Sequence, residues 1–155
     1  MTPHPELFSG LSDSDATALE ARGSRLTLEP GQVLFRIGDD ATRLYIVAHG
    51  VIELRMPMQV EGHDEDVRIE DCAAGQTLGW STLVPPHRFT LKAEARQPTE
   101  LLAFPRDMLL AYFTSRPDVG YVVLGNIAAL LGQRLQVFQT MWVREVQHVV
   151  DLAHG

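Results

Sequence analysis

Cysteine is almost missing: Cys72 is the only one in 155 residues. One thiol cannot close an intramolecular disulfide, so a reducing compartment is expected. Cys72 sits in a strand-like stretch, where a lone cysteine serves as a small buried apolar residue rather than a redox group. Basic residues are scarce as well. Lys plus Arg total 13 against 20 for Asp plus Glu, a formal charge of −7. With no run of Lys or Arg, the chain lacks the basic face that nucleic acid requires. No stretch approaches the ~18 apolar residues of a membrane-spanning helix. The start, MTPHPELFSGL, has neither the basic opening nor the apolar core of a secretory signal. These absences set the expectation of a cytoplasmic protein without a membrane partner. Enzyme signatures are missing too. His4, His49, His63, His87, His148 and His154 are scattered, with no nucleophile–base order and no Gly-rich phosphate loop.

What is present is ordinary globular material, 45% hydrophobic, enough for one domain with a real core. Ser12 is a plausible N-cap, with Asp15 three residues on, for a short helix that presents Leu11, Ala16 and Leu19 on one side and stops at Gly23. From Ser24 to about Pro105 the period becomes two. RLTLEP, QVLFRIG, RLYIVAHG, VIELRMPM, EDVRIED, FTLKAEA and TELLAFP read as short strands divided by Pro, Gly and Asp turns. VEGHDEDV reads as a hairpin tip. Its His63-Asp64-Glu65-Asp66 run is contiguous, and adjacent strand residues point to opposite faces, so it is expected to be a solvated turn and not a metal site.

After Pro105 the period changes again. RDMLLAYFTSRP predicts a helix, and Asp118 to about Leu152 predicts one long helix without proline. Ala128, Leu131, Leu135, Phe138, Trp142, Val149 and Leu152 fall at spacings of three and four, interrupted at Glu145, over about three to four heptads. Tyr121, Val122, Leu124 and Ile127 widen the apolar arc of the first half, which is expected to pack on the strands. The narrower later part reads as a homodimer seam, with Leu131, Leu135, Phe138, Trp142 and Val149 as its interface. Gly125 and Gly132 on this helix would permit close backbone approach. The expected organisation is a β-roll with its N-terminal helix over residues 1–117 and a dimerisation helix over 118–155.

Two stretches carry a resemblance. GDDATRLYIVAHG supplies Gly38, Asp39, Ala41, the apolar run Leu44-Tyr45-Ile46-Val47, and Gly50; upstream, Phe35 stands where a smaller aliphatic residue is usual. LGWSTLVPPHRFTLKA, Leu78 to Ala93, supplies Gly79, a short polar turn and an His-Arg pair. Together they resemble the cyclic-nucleotide-binding domain family, over roughly Leu7 to Leu135. The resemblance implies a mainly β fold, a double-stranded β-helix or jelly-roll type of β-roll, flanked by helices and followed by a long C-terminal helix. It also implies that Leu78–Ala93 corresponds to the phosphate-binding cassette. There a short helix N-terminus offers backbone N–H groups to the cyclic phosphate, an Arg pairs with it, and a Glu holds the ribose.

The cassette departs from that pattern. Trp80 replaces the ribose-binding Glu, and Ser81, Thr82 and Leu83 follow. Counting back from Thr90, Leu91 and Ala93 places His87 at the Arg position, with Arg88 beside it; a one-residue shift of the loop would restore Arg88. Val84-Pro85-Pro86 makes the loop short and stiff. The candidate ligand residues are therefore Gly79, Trp80, Ser81, Thr82, His87, Arg88 and Thr90. The expected function is a stand-alone, non-catalytic regulatory domain in which cyclic nucleotide binding is weak or lost and which acts through dimerisation and an unidentified partner protein. It requires no cofactor, and its ligand, if one binds, is cyclic AMP or cyclic GMP. The alternative is a working cyclic AMP or cyclic GMP sensor. A cupin-like metalloenzyme would share the barrel but needs clustered ligands, and His49 is followed by Gly50 and Val51. A transcription factor of this family would carry a helix-turn-helix after the long helix, where this sequence has only DLAHG, so no DNA binding is expected.

Overall fold

The alternating segments form eight strands: β1 (Ser24–Leu28), β2 (Val33–Phe35), β3 (Arg43–His49), β4 (Ile52–Val60), β5 (His63–Cys72), β6 (Thr77–Leu78), β7 (Lys92–Ala95) and β8 (Thr99–Pro105). This computed structural model describes residues 4–155. All strand pairs are antiparallel, in two four-stranded sheets ordered β1-β8-β3-β6 and β2-β7-β4-β5. Around this β-roll lie α1 (Asp13–Glu20), α2 (Arg106–Ser115) and α3 (Pro117–His154).

The continuous apolar run of β3 follows from its position between two cores. Tyr45 and Val47 point into the space between the sheets with Leu54, Leu101 and Ala103. Leu44 and Ile46 point outward into a second cluster built from Phe8, Leu19, Phe104, Leu109 and Val123. A strand covered on both faces needs apolar residues at every position. Gly50 closes β3 at φ 96°, and a Cβ there would lie 2.5 Å from Thr99 Oγ1 and 2.6 Å from the Pro98 carbonyl oxygen. Both backbone conformation and space exclude a side chain.

Four expectations change. His63-Asp64-Glu65-Asp66 is not a hairpin tip: it opens β5, paired with Val60 through Pro57, and the turn is Glu61-Gly62 with both residues at positive φ. That two-residue turn matches the right-handed strand twist. Gly23 is not a left-handed helix stop; a Cβ there would meet the Phe104 ring at 2.8 Å, so it lets α1 run into β1 over that ring. Tyr121 and Leu124 do not pack on the roll. Both are exposed, while Val119, Val123 and Ile127 are buried and Leu131 and Val122 half-buried. Finally, α3 contains an 18-residue window with mean hydropathy 1.2, long and apolar enough by composition to cross a membrane. Its first turns are instead bound to the β-roll, and Asn126 Nδ2 donates to the carbonyls of Leu7 and Ser9 at 2.7 and 2.8 Å.

At the other end of the chain Ser12 caps α1, its Oγ accepting from the Asp15 N–H at 3.1 Å. Arg116 ties α1 to the start of α3 through Asp15 and Asp118 at 3.1 and 2.9 Å. Pro117 occupies the first turn of α3, where its missing N–H leaves no helical bond unmade. From Leu135 onward every residue of α3 is exposed.

Candidate functional site

Leu78–Ala93 leaves β6 at Gly79, which takes the left-handed conformation with φ 81°. A Cβ at this position would press on the Arg43 carbonyl and the Phe89 ring, both at 3.3 Å. Trp80–Thr82 then makes one turn of 3-10 helix. The donors of its last residue and of the two that follow close the turn itself. The N–H groups of Thr82, Leu83 and Val84 donate to the carbonyls of Gly79, Trp80 and Ser81 at 3.0, 3.0 and 3.2 Å. Thr82 is fully buried and its Oγ1 donates to the Arg43 carbonyl at 2.8 Å, anchoring the turn to β3. Ser81 is buried too. Trp80 is half-buried and packs against the helix-side cluster.

The far end of the loop is held differently. The His87 N–H closes on the Val84 carbonyl at 3.0 Å. His87 sits at φ 59°, unusual outside glycine, and its Nδ1–H donates to the Ser81 carbonyl at 3.1 Å. Segment 87–89 pairs with 38–41: Ala41 N–H donates to His87 O at 2.8 Å, Phe89 N–H to Asp39 O at 3.1 Å, and Gly38 N–H to Phe89 O at 2.9 Å. This register turns Arg88 to the surface. Its Nη1 donates to the Gly38 carbonyl at 2.8 Å and pairs with Asp40 at 3.1 Å, with 59% of the side chain exposed. Thr90 is exposed at the rim.

Behind the loop, aromatic rings occupy the barrel. Phe35 and Phe89 stack with centroids 3.7 Å apart and planes 9° from parallel, and Tyr45 lies 6.2 Å from Phe35. The cavity between these rings, Gly79, Trp80, Ser81 and Thr90 measures about 20 Å³. That is room for about one water and far below the several hundred Å³ of ligand sites. Phe35 and Phe89 therefore fill space that the departure at position 35 hinted at; Phe89 carried no signal of its own in the sequence.

A cation does reach this region, from a place the sequence reading passed over. Arg134 on α3 lines the small cavity and pairs through Nη2 with Glu70 Oε1 on β5 at 3.0 Å. Beyond this pair, between the β4–β5 hairpin and α3, a second and much larger cavity opens, about 590 Å³ in volume. Val123, Ile127, Leu130, Arg134, Val137 and Met141 make a stripe at spacings of four and three. This spacing was the available signal for Arg134.

Cys72, at the end of β5, is 1% exposed. Burial pushes its thiol up to about 12, with Glu70 adding to the shift and Arg134 opposing it. Such a thiol carries almost no thiolate at neutral pH and is no nucleophile. Among the described residues no group of three or more His, Cys, Asp or Glu side chains is placed to hold a metal.

Comparison with known proteins places this geometry. The cyclic nucleotide-binding domain matches residues 25–116 of the chain, more than half of it. No curated protein matches the sequence. Among solved structures, the N-terminal domain of a transcriptional regulator from Streptomyces coelicolor A3(2) is 27% identical, with TM-score 0.71, covering 83% of this chain and 89% of that one. Catabolite activator protein of Thermus thermophilus is 27% identical, with TM-score 0.77; the match covers 88% of this chain but only 61% of that one. The regulatory domain of Toxoplasma gondii PKA, solved with cyclic AMP, shares the fold at 22% identity and TM-score 0.59, covering 69% of this chain and 40% of that one.

Proposed function

Because the chain belongs to the cyclic nucleotide-binding domain family, we propose that it is a non-catalytic regulatory module whose cassette has given up high-affinity cyclic nucleotide binding. It acts in the cytoplasm as a homodimer joined along the exposed part of α3, and passes its signal to a protein partner. The net charge of −7 supports a protein partner over DNA.

The observation that carries this reading is the filled barrel. Phe35 stacked on Phe89 leaves about 20 Å³ where the family holds a nucleotide. The polar contacts agree. Trp80 offers no carboxylate to a ribose, and an unpaired 2′-hydroxyl costs about 1–3 kcal/mol. Arg88 is engaged by Asp40 and the Gly38 carbonyl on the outer surface. A buried phosphate without its Arg loses roughly 3–5 kcal/mol, and the two losses together, about 4–8 kcal/mol, move a micromolar site to millimolar or beyond.

Isothermal titration of the protein with cyclic AMP and with cyclic GMP at neutral pH tests this. The expected result is no saturable binding below the millimolar range for either nucleotide. Saturable low-micromolar binding would establish the working sensor instead. In that event Phe89 and Arg88 must both move, and Arg88→Ala should abolish the binding while His87→Ala leaves most of it.

A further inference from the structure

The cavity between the β4–β5 hairpin and α3 lies outside the cassette. Met58, Val67 and Ile69 from the hairpin face Leu130, Val137 and Met141 from the helix across about 590 Å³. That volume lies within the range of small-molecule sites, and an apolar wall with few polar groups is their usual make-up. The two cations at its edge are already paired. Arg134 is paired with Glu70 at 3.0 Å, Arg68 with Asp71 at 2.8 Å, and Glu6 accepts from the Thr77 N–H at 3.3 Å. An anion entering here would lose its hydration and meet no uncommitted cation. This disfavours a nucleotide phosphate in the cavity. The Thr77 hydroxyl oxygen, without a hydrogen-bond partner, is buried behind the wall, so the Arg134–Glu70 pair is the polar group that the inner end presents. The dimer seam need not cover the cavity. Ala128, Leu131, Leu135, Phe138 and Trp142 are each one residue after Ile127, Leu130, Arg134, Val137 and Met141, hence rotated by about 100° around the helix; only Phe138 borders both.

We infer that this cavity binds a neutral, largely apolar small molecule, held between the hairpin and α3 with its one polar group toward the Arg134–Glu70 pair. The ligand belongs to a different chemical class from a cyclic nucleotide, and the site adjoins the small cassette cavity through Arg134, which lines both.

The uncharged fluorophore N-phenyl-1-naphthylamine is the probe, titrated against the full chain. Saturable one-to-one binding in the micromolar range is expected. 1-Naphthol should displace it at least tenfold more effectively than 1-naphthoate, its anionic counterpart. Val67→Trp, and Val67→Phe as a smaller filler, should weaken the probe at least tenfold while the circular dichroism spectrum stays unchanged. Leu135→Glu, on the seam, should leave the affinity within twofold. The inference is overturned by lack of saturation, by equal displacement by the anion, or by folded Val67 variants that bind normally. It is equally overturned if binding emerges only in Leu135→Glu, since a second copy of the chain would then fill the cavity.

Discussion

At the scale of the residue, two titratable groups are displaced from their ordinary behaviour by what touches them. The Cys72 thiol, pushed up to about 12 by burial, is about one part in ten thousand thiolate at pH 8. Iodoacetamide at pH 8 should leave the native protein unmodified for hours by mass spectrometry and add one group in urea. Rapid alkylation of the native protein would mean that the end of β5 opens readily. His4 is the opposite case, half-buried at the surface. Its ring donates to Glu20 at 3.1 Å with Asp13 at 3.3 Å, and the Glu20 hydrogen bond raises its pKa above the ordinary 6.5. The folded state thus binds this proton more tightly than the unfolded state. The stabilisation is complete below about pH 6.5 and is lost as pH rises through the folded-state value. In an NMR titration the His4 midpoint should lie above 6.5, and Glu20→Gln should bring it down. A wild-type midpoint at or below 6.5 would show that the pair does not form in solution.

Individual elements differ in how much of them the sequence announces. β3 was legible because its four-residue apolar run and closing Gly50 admit few arrangements, and Gly50→Ala should cost roughly 3 kcal/mol, from strain at φ 96° and the contact with Thr99. Urea denaturation measures it, and a loss under 1 kcal/mol would mean the β3–β4 turn yields easily. The Glu61-Gly62 turn was misplaced because His63 to Asp66 is polar on both faces, and a strand beyond the core leaves no alternation to count. The cassette was legible in its departures, Trp80 and the His-Arg pair, but not in its outcome. Arg88 faces outward because 87–89 pairs with 38–41, a long-range backbone register that no local pattern encodes. On α3 two stripes one residue apart merge into a single broad apolar arc. The spacing marks the outer stripe, while the inner one, with Arg134 as its only charge, merges into it. The same breadth of arc makes Tyr121 and Leu124 look core-facing in the sequence, although both are exposed.

For the molecule as a whole, the outer stripe is the unfinished part. Leu135 is 58% exposed and Trp142 70%, with Phe138, Val149 and Leu152 beside them on a helix end whose every residue is exposed. Contiguous apolar surface of this kind marks an interface. In the proposed homodimer a second copy would supply the same stripe in return, as a two-fold contact requires. Burying each of these side chains contributes about 1–2 kcal/mol, so a charge placed among them should weaken association at least ~100-fold, some 2.7 kcal/mol. Light scattering of the wild-type protein should therefore give about twice the chain mass of 17.2 kDa. Leu135→Glu and Trp142→Glu should each shift the protein to the single-chain mass at concentrations where wild type stays paired. Thr140→Glu, on the far side of the helix, should not. If the wild type is monomeric at high micromolar concentration, the seam is free for the partner protein, and the two-fold element of the proposal fails. If Thr140→Glu dissociates the dimer as readily as Leu135→Glu does, the chains pair through a different face of α3.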